Sequence, residues 1–158
     1  MIKIETKIQI AASQDRIWNI VSRIDHDHHY WKGIKSIKNI SKDRNFVTRE
    51  ITLINGSRCF QKVILFPREG IHIRYTKGPM VGIKDILLTS MGAATILEVQ
   101  MEYRLSGVVR LVPKSILEEL QSESELALQL IKEAVEETPS VSLEKRKLWV
   151  ELVNEKNA

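Results

Sequence analysis

Apolar and polar residues alternate at period two over most of the first 105 positions. Ile2, Ile4, Ile8 and Ile10 share one face of the first segment, which predicts a half-buried strand. Alternation resumes after Gly33, and the later predicted strands span 46–54, 58–66, 71–76, 81–89 and 93–105. Short turn signals separate them, the strongest being Asn55-Gly56, so we expect an antiparallel meander with one buried face.

Two segments change to helical spacing. Ser13 precedes a short apolar stripe that begins at Ile17, which predicts a capped amphipathic helix after the first strand. From Pro113 to Thr138 the chain contains no internal Gly or Pro, which predicts one long helix. Its apolar stripe comprises Ile116, Leu117, Leu120, Ala127, Leu128, Ile131, Ala134 and Val135. The glutamates, Glu123 among them, are assigned to the solvated side, so one face of this helix must be buried.

The chain of 158 residues fits one compact domain. We expect this domain to span 1–138 and to be followed by a tail, 139–158, whose apolar residues fit one side of a short docked helix. An exposed Trp149 would be costly, so docking on the domain's own surface is favoured over a partner or membrane contact. No apolar run is long enough to span a bilayer and no signal peptide is visible, so the expected location is cytoplasmic.

Composition removes several classes of protein. Hydrophobic residues make up 43% and charged residues 28%, as in ordinary globular proteins, and the single cysteine, Cys59, excludes a disulfide scaffold or zinc ribbon. Residues 1–110 carry 18 Lys and Arg against 10 Asp and Glu, within a net charge of +4. These basic residues occur singly along the strands, as on a solvated sheet face: Lys35, Lys38, Lys42, Arg44, Arg49, Arg58 and Lys62. No nucleic-acid partner is therefore expected, although several could still converge in space.

The sharpest local feature is the run Asp25-His26-Asp27-His28-His29. It brings a metal site to mind, but the spacing supplies too few ligands in one direction, so we predict no metal and no cofactor. A solvated polar turn is favoured, with a pH-sensitive loop as the alternative. Cys59 lies within a predicted strand, as a small core residue does, and no nucleophile elbow or phosphate loop occurs. The sequence thus shows no catalytic constellation.

One stretch resembles a known family. The pattern from Ile8 to Val21, followed by Asp25 and Trp31, resembles the opening of the START-like (SRPBCC) superfamily, which includes polyketide cyclase/dehydrase-like proteins, coenzyme Q-binding carriers and plant pathogenesis-related allergens. Two departures are Ala12, where proline is common, and the polar run after Asp25. The resemblance implies an α+β, helix-grip (Bet v 1-like) fold, in which a curved antiparallel sheet of about six to seven strands wraps around the long helix.

The resemblance also implies an apolar cavity between the sheet and the helix. The predicted lining residues are Trp31, Ile73, Tyr75, Leu97, Val99, Met101, Tyr103, Leu120, Ala127, Leu128 and Ile131. Alternation independently places the last-strand members of this set on one face. Tyr75 and Tyr103 would orient an amphipathic ligand, or else serve as ordinary core tyrosines. Trp31 either closes the end of the core or gates the cavity.

The function expected from these observations is binding or transport of a hydrophobic or amphipathic small molecule of lipid, quinone or polyketide-like character. A cyclase or aromatase-like enzyme is the main alternative, with Tyr75 or Tyr103 assisting proton transfer. A third hypothesis is a protein-interaction module of co-chaperone or ribosome-associated type.

Overall fold

The computed structural model describes residues 1–105 and 114–137. Its elements in chain order are β1 (Ile2–Ile10), α1 (Gln14–Val21), a 3-10 helical segment (Ile24–His29), β2 (Ile34–Asp43), β3 (Phe46–Leu53), β4 (Arg58–Phe66), β5 (Gly70–Lys77), β6 (Met80–Met91), β7 (Ala94–Leu105) and α2 (Lys114–Glu137). The predicted strands and both predicted helices are confirmed, with ends that shift by no more than a few residues. Pro113, Thr138 and the tail 139–158 lie outside the described residues.

The seven strands form one antiparallel sheet in the order β1-β7-β6-β5-β4-β3-β2. Strands β2 to β7 follow one another as the predicted meander, and β1 pairs with β7 along its whole length, from Ile2 opposite Tyr103 to Ile10 opposite Thr95. Register shifts interrupt the β2–β3 and β4–β5 pairs, where extra residues bend the strands. The sheet curves and carries α2 along one face, so the expected α+β helix-grip fold is confirmed.

The core fills the space between the concave face of the sheet and α2. Leu97 and Val99 of β7 are buried there with Ala127, Leu128 and Ile131 of α2. The predicted apolar stripe is therefore correct for the C-terminal half of the helix. It is wrong for Leu117, which is 37% exposed. No helix in the described part of the chain is long and apolar enough to cross a bilayer.

Three hydrogen bonds fix the position of α2. Arg16 of α1 donates from Nη2 to the carbonyl oxygen of Val135 over 2.7 Å, and the Ala11 N–H donates to Glu136 Oε1 over 3.1 Å. In the middle of the helix, Glu123 Oε1 accepts from the Gly33 N–H over 3.0 Å. The guanidinium satisfies a carbonyl that the helix end leaves open. The C-terminal half of α2 is thus held against the body of the domain.

A buried ion pair ties the 3-10 segment to the sheet. Arg49 is 0% exposed, and its Nη2 donates to Asp27 Oδ2 over 2.7 Å. Its Nε donates to Gln61 Oε1 over 2.7 Å, and its Nη1 donates to the carbonyl oxygen of Ile24 over 2.8 Å. Burial raises the pKa of Asp27, and the charge of Arg49 opposes that rise. The expectation of a solvated face is wrong for Arg49, and that of a solvated turn is wrong for Asp27.

We expect Asp27→Asn to lower the free energy of unfolding by about 3 to 5 kcal/mol, because it leaves the Arg49 charge buried without a counter-ion. Urea denaturation followed by circular dichroism measures this. The matched control is Asp15→Asn, which breaks the Arg68–Asp15 pair of the same 2.7 Å separation whose side chains are 64% and 63% exposed. The control should cost less than about 1 kcal/mol. Equal losses of unfolding free energy in the two variants would contradict the burial of the Arg49–Asp27 ion pair.

Packing along α2 should be uneven. Leu128 is 1% exposed in the core, so Leu128→Ala should lower the free energy of unfolding by about 2 to 5 kcal/mol. Leu120 is only half-buried, and Leu120→Ala should cost clearly less because fewer of its contacts are lost. Equal values from parallel urea titrations would mean that both halves of the helix are packed alike.

Candidate functional site

A cavity of about 270 Å³ lies between the sheet and the N-terminal half of α2. Its floor comes from β3, β5, β6 and β7, and one end is closed by the loop that follows the 3-10 segment. The lining residues are Trp31, Gly33, Ile34, Ile51, Leu53, Ile54, Asn55, Tyr75, Met80, Lys84, Met101, Tyr103, Ile116, Glu119, Leu120, Glu123 and Ser124. The wall is thus mainly apolar with a few polar groups, which is the composition of small-molecule sites.

The structure divides the predicted cavity residues into two groups. Five of them line the cavity, namely Trp31, Tyr75, Met101, Tyr103 and Leu120. The other six lie in the packed core and do not line it, namely Ile73, Leu97, Val99, Ala127, Leu128 and Ile131. The boundary falls near Ser124, where the helix comes into contact with β7: the Ser124 Oγ lies 3.6 Å from Met101 Sδ. Contact of the five lining residues with a ligand remains a prediction.

The two buried tyrosines meet across a glycine. Gly82 of β6 lies in register between Tyr75 of β5 and Tyr103 of β7. Its φ is 155°, and a Cβ there would stand 2.0 Å from the carbonyl oxygen of Glu102, so a larger residue would not fit. The tyrosine rings therefore approach to 5.1 Å between centroids, edge to face at 82°. No side chain separates them at the cavity floor.

The tyrosine hydroxyls remain protonated at neutral pH. Burial raises the pKa of Tyr75 to about 12, although the hydrogen bond from Tyr103 lowers it, and burial likewise raises the pKa of Tyr103. A hydrogen bond joins the two hydroxyls and uses one of their two protons, so the other proton is left for a further acceptor. The pair can bind an acceptor but is a poor base.

Sequence reasoning missed the charged group on the cavity wall. Lys84 alternates with the buried Ile86 and Leu88 on the inward face of β6 and is 3% exposed. Its Nζ lies 3.0 Å from the centroid of the Trp31 ring. The alternation along β6 indicates that Lys84 faces inward, because an inward position in a strand is buried whichever residue occupies it.

The same burial changes the proton affinity of Lys84. Desolvation lowers its pKa from 10.5 to about 7, while the carboxylates of Asp27 and Glu123 oppose this shift and Arg49 adds to it. At neutral pH the amine therefore exists in both protonation states. Such a group is typical of functional sites when it lies in a cleft.

Trp31 owes its position to the ion pair already described. The Trp31 N–H donates to the carbonyl oxygen of Asp27 over 2.8 Å, and the Trp31 carbonyl accepts from the Ile34 N–H over 3.0 Å. The assignment of Glu123 to the solvated side is wrong, because its bond to the Gly33 N–H draws the side chain over the cavity. This contact could not be inferred from helical spacing, since the partner is a backbone group distant in sequence.

The histidine cluster lies apart from the cavity lining. His26 stacks on His29 at 5.2 Å, and His28 meets His29 edge to face at 4.4 Å. Within residues 1–105 and 114–137, no group of three or more His, Cys, Asp and Glu side chains is arranged to hold a metal ion. Cys59 is buried in the core, as predicted, and burial raises the pKa of its thiol.

We expect the stability of the protein to rise between pH 7 and 8.5, because the unfolded chain keeps the Lys84 proton there and the folded chain loses it. The slope from this group is at most about 1.4 kcal/mol per pH unit. Lys84→Met should remove this slope and raise the free energy of unfolding at pH 6, where the wild type buries a charge. Urea titrations of both proteins measure it, and identical pH profiles would show that Lys84 is solvated.

No protein-family model matches the sequence, and no curated protein matches it either. Solved structures do match. A protein of Thermus thermophilus aligns with a TM-score of 0.75 at 14% identity, over 87% of this chain and 99% of its own. The Zhui aromatase/cyclase of Streptomyces sp. R1128 aligns at 0.67 with 15% identity, over 85% and 93%.

A START superfamily protein of Mycobacterium smegmatis aligns with a TM-score of 0.67 at 18% identity, over 88% of this chain and all of its own, 100%. Each alignment spans both the sheet and the long helix, because the coverage exceeds any single element. Identities this low establish the fold and leave the ligand open. The chain therefore has the helix-grip fold that START-like and aromatase/cyclase proteins share.

Proposed function

We propose that this protein binds a hydrophobic or amphipathic small molecule in the cavity between the sheet and the N-terminal half of α2. The observation that supports this is the cavity of about 270 Å³, which has a mainly apolar wall with tyrosine hydroxyls and one lysine at its floor. A cavity just below the roughly 300 to 1,000 Å³ of typical ligand sites favours a medium-sized ligand over a long lipid. The ligand class remains lipid-like, quinone-like or polyketide-like.

A second candidate function is cyclisation of a polyketide-like chain, and Lys84 is the observation that favours it. A general base needs a pKa near the working pH, and the pKa of Lys84 is about 7. The tyrosines, with raised pKa values, serve as donors in this scheme. Incubation with a reactive poly-β-ketone tests it: the wild type should accelerate aromatic product formation and Lys84→Met should not.

Binding itself is tested by titration with the fluorophore N-phenyl-1-naphthylamine. The wild type should show a saturable rise in fluorescence. Leu120→Trp should weaken binding by at least about tenfold, because the larger ring fills the cavity and displaces more than 1.4 kcal/mol of contacts.

Leu126→Trp is the matched control, since Leu126 lies on the same helix and is 46% exposed away from the cavity. It should leave the affinity within about twofold, a change below 0.5 kcal/mol. Equal effects of the two substitutions would place the fluorophore elsewhere and count against the cavity. Solvent extraction of the purified protein followed by mass spectrometry would identify a retained ligand.

A further inference from the structure

Lys84 occupies a position that shields its ammonium from bulk water. It occupies an inward position of β6, in register between Ile73 of β5 and Met101 of β7, and is 3% exposed. A lysine on a sheet ordinarily extends its ammonium to water along an apolar stem. Here the Nζ remains inside, over the face of Trp31, and borders the cavity. Whatever fills the cavity therefore meets this nitrogen.

Lys84 has more hydrogen-bond donors than the described residues have acceptors near it. An ammonium carries three donors, and the Trp31 ring offers one π face. The described residues provide no hydrogen-bond acceptor and no carboxylate within ion-pair distance of the Nζ. The two nearby carboxylates have other partners: Asp27 accepts from Arg49, and Glu123 accepts from the Gly33 N–H. The Lys84 donors are left to the cavity.

A further donor lies beside it. Gly82 is the inward residue of β6 that precedes Lys84, and Tyr75 lies in register with Gly82. The Tyr75 and Tyr103 hydroxyls share one hydrogen bond, so the pair presents one remaining O–H donor on the same floor. A buried ammonium and a phenolic O–H at adjacent inward positions match a group with two acceptor oxygens.

We propose that Lys84, with Tyr75 beside it, binds the carboxylate head group of an amphipathic ligand whose apolar chain extends along the cavity toward Leu120. This inference rests on the proposed binding function and specifies its ligand as an organic acid. The carboxylate supplies acceptors and a directly hydrogen-bonded counter-ion, which Asp27 and Glu123 do not provide because they bond to Arg49 and Gly33. Glu119 and Glu123 line the helix side of the cavity, so a negative head group is directed toward the sheet.

Three probes with one chain length test this: decanoate, decan-1-ol and decylamine, each displacing N-phenyl-1-naphthylamine at pH 6. The wild type should bind decanoate at least about tenfold more tightly than decan-1-ol, as expected for a charge-assisted hydrogen bond, and decylamine most weakly. Lys84→Met should lose roughly 10- to 100-fold in decanoate affinity and change little for decan-1-ol. Lys84→Gln is a second variant should the methionine protein fold poorly.

Two matched variants sharpen the result. Lys62→Met removes an exposed strand lysine from β4 and should leave decanoate binding unchanged. Glu123→Gln keeps an oxygen for the Gly33 N–H but removes the negative charge over the cavity, so decanoate should bind more tightly.

The pH dependence of decanoate binding follows from the charge of Lys84. The titratable and charged groups around Lys84 and its cavity are Asp27, Arg49, Tyr75, Tyr103, Glu119 and Glu123. Lys84, whose pKa is about 7, loses its charge between pH 7 and 8.5. Decanoate affinity should therefore fall over this range, by up to tenfold per unit, while decan-1-ol affinity stays constant.

The outcomes separate the two proposals. If the fluorophore itself does not bind to the wild type, the binding function is wrong and the acid ligand falls with it. If the fluorophore binds but decanoate does not displace it, the acid ligand alone is wrong. If decanoate and decan-1-ol bind equally well to the wild type and to Lys84→Met, the cavity binds ligands but the acid head group is refuted. Equal binding combined with covalent addition of decanal to Lys84 under cyanoborohydride, with loss of water and reduction of the imine, would assign the lysine to a carbonyl ligand instead.

Discussion

A single helix cannot cover the concave face of a seven-stranded sheet, and most features of this protein follow from that mismatch. Seven strands at about 4.8 Å spacing make a sheet roughly 29 Å wide, whereas a helix with its side chains is about 10 to 12 Å across. The sheet therefore curves around α2, and α1 and the 3-10 segment cover part of the remainder. Where α2 stands away from the sheet, at its N-terminal half, the cavity remains.

Polar side chains occupy one transverse row of that concave face. The register runs from Arg49 through Gln61, Tyr75 and Gly82 to Tyr103, across five neighbouring strands. Arg49 and Gln61 bond to each other at one end of the row, and the tyrosines bond at the other. In an interior where each unpaired polar group costs free energy, such a row is stable only if its members partner one another or a ligand.

The polar row also connects the anchoring of the 3-10 segment to the cavity. The Arg49–Asp27 pair anchors the 3-10 segment, the Asp27 carbonyl holds the backbone of Trp31, and the Trp31 ring lies against Lys84. The position of Lys84, whose buried charge costs stability, thus depends on the buried Arg49–Asp27 ion pair. Removing Lys84 should stabilise the fold and weaken the site, which is the trade expected where a functional group opposes stability.

The sequence by itself determined the order of the elements, because period-two alternation, glycine turns and one uninterrupted helical stripe are local properties. The alternation also contained the inward positions of Arg49 and Lys84, but their charge favoured a solvated face for Arg49, and Lys84 was overlooked, so the structure was needed to show both buried. Only the tertiary structure decided which inward residues border a cavity and which lie in the core. Leu128 and Leu120 share one stripe, yet Leu120 lines the cavity while Leu128 is packed in the core, a difference that helical spacing does not contain. The partners of Asp27 and Glu123 likewise lie 22 and 90 residues away in sequence, and contacts of that kind arise only when folding brings distant segments together.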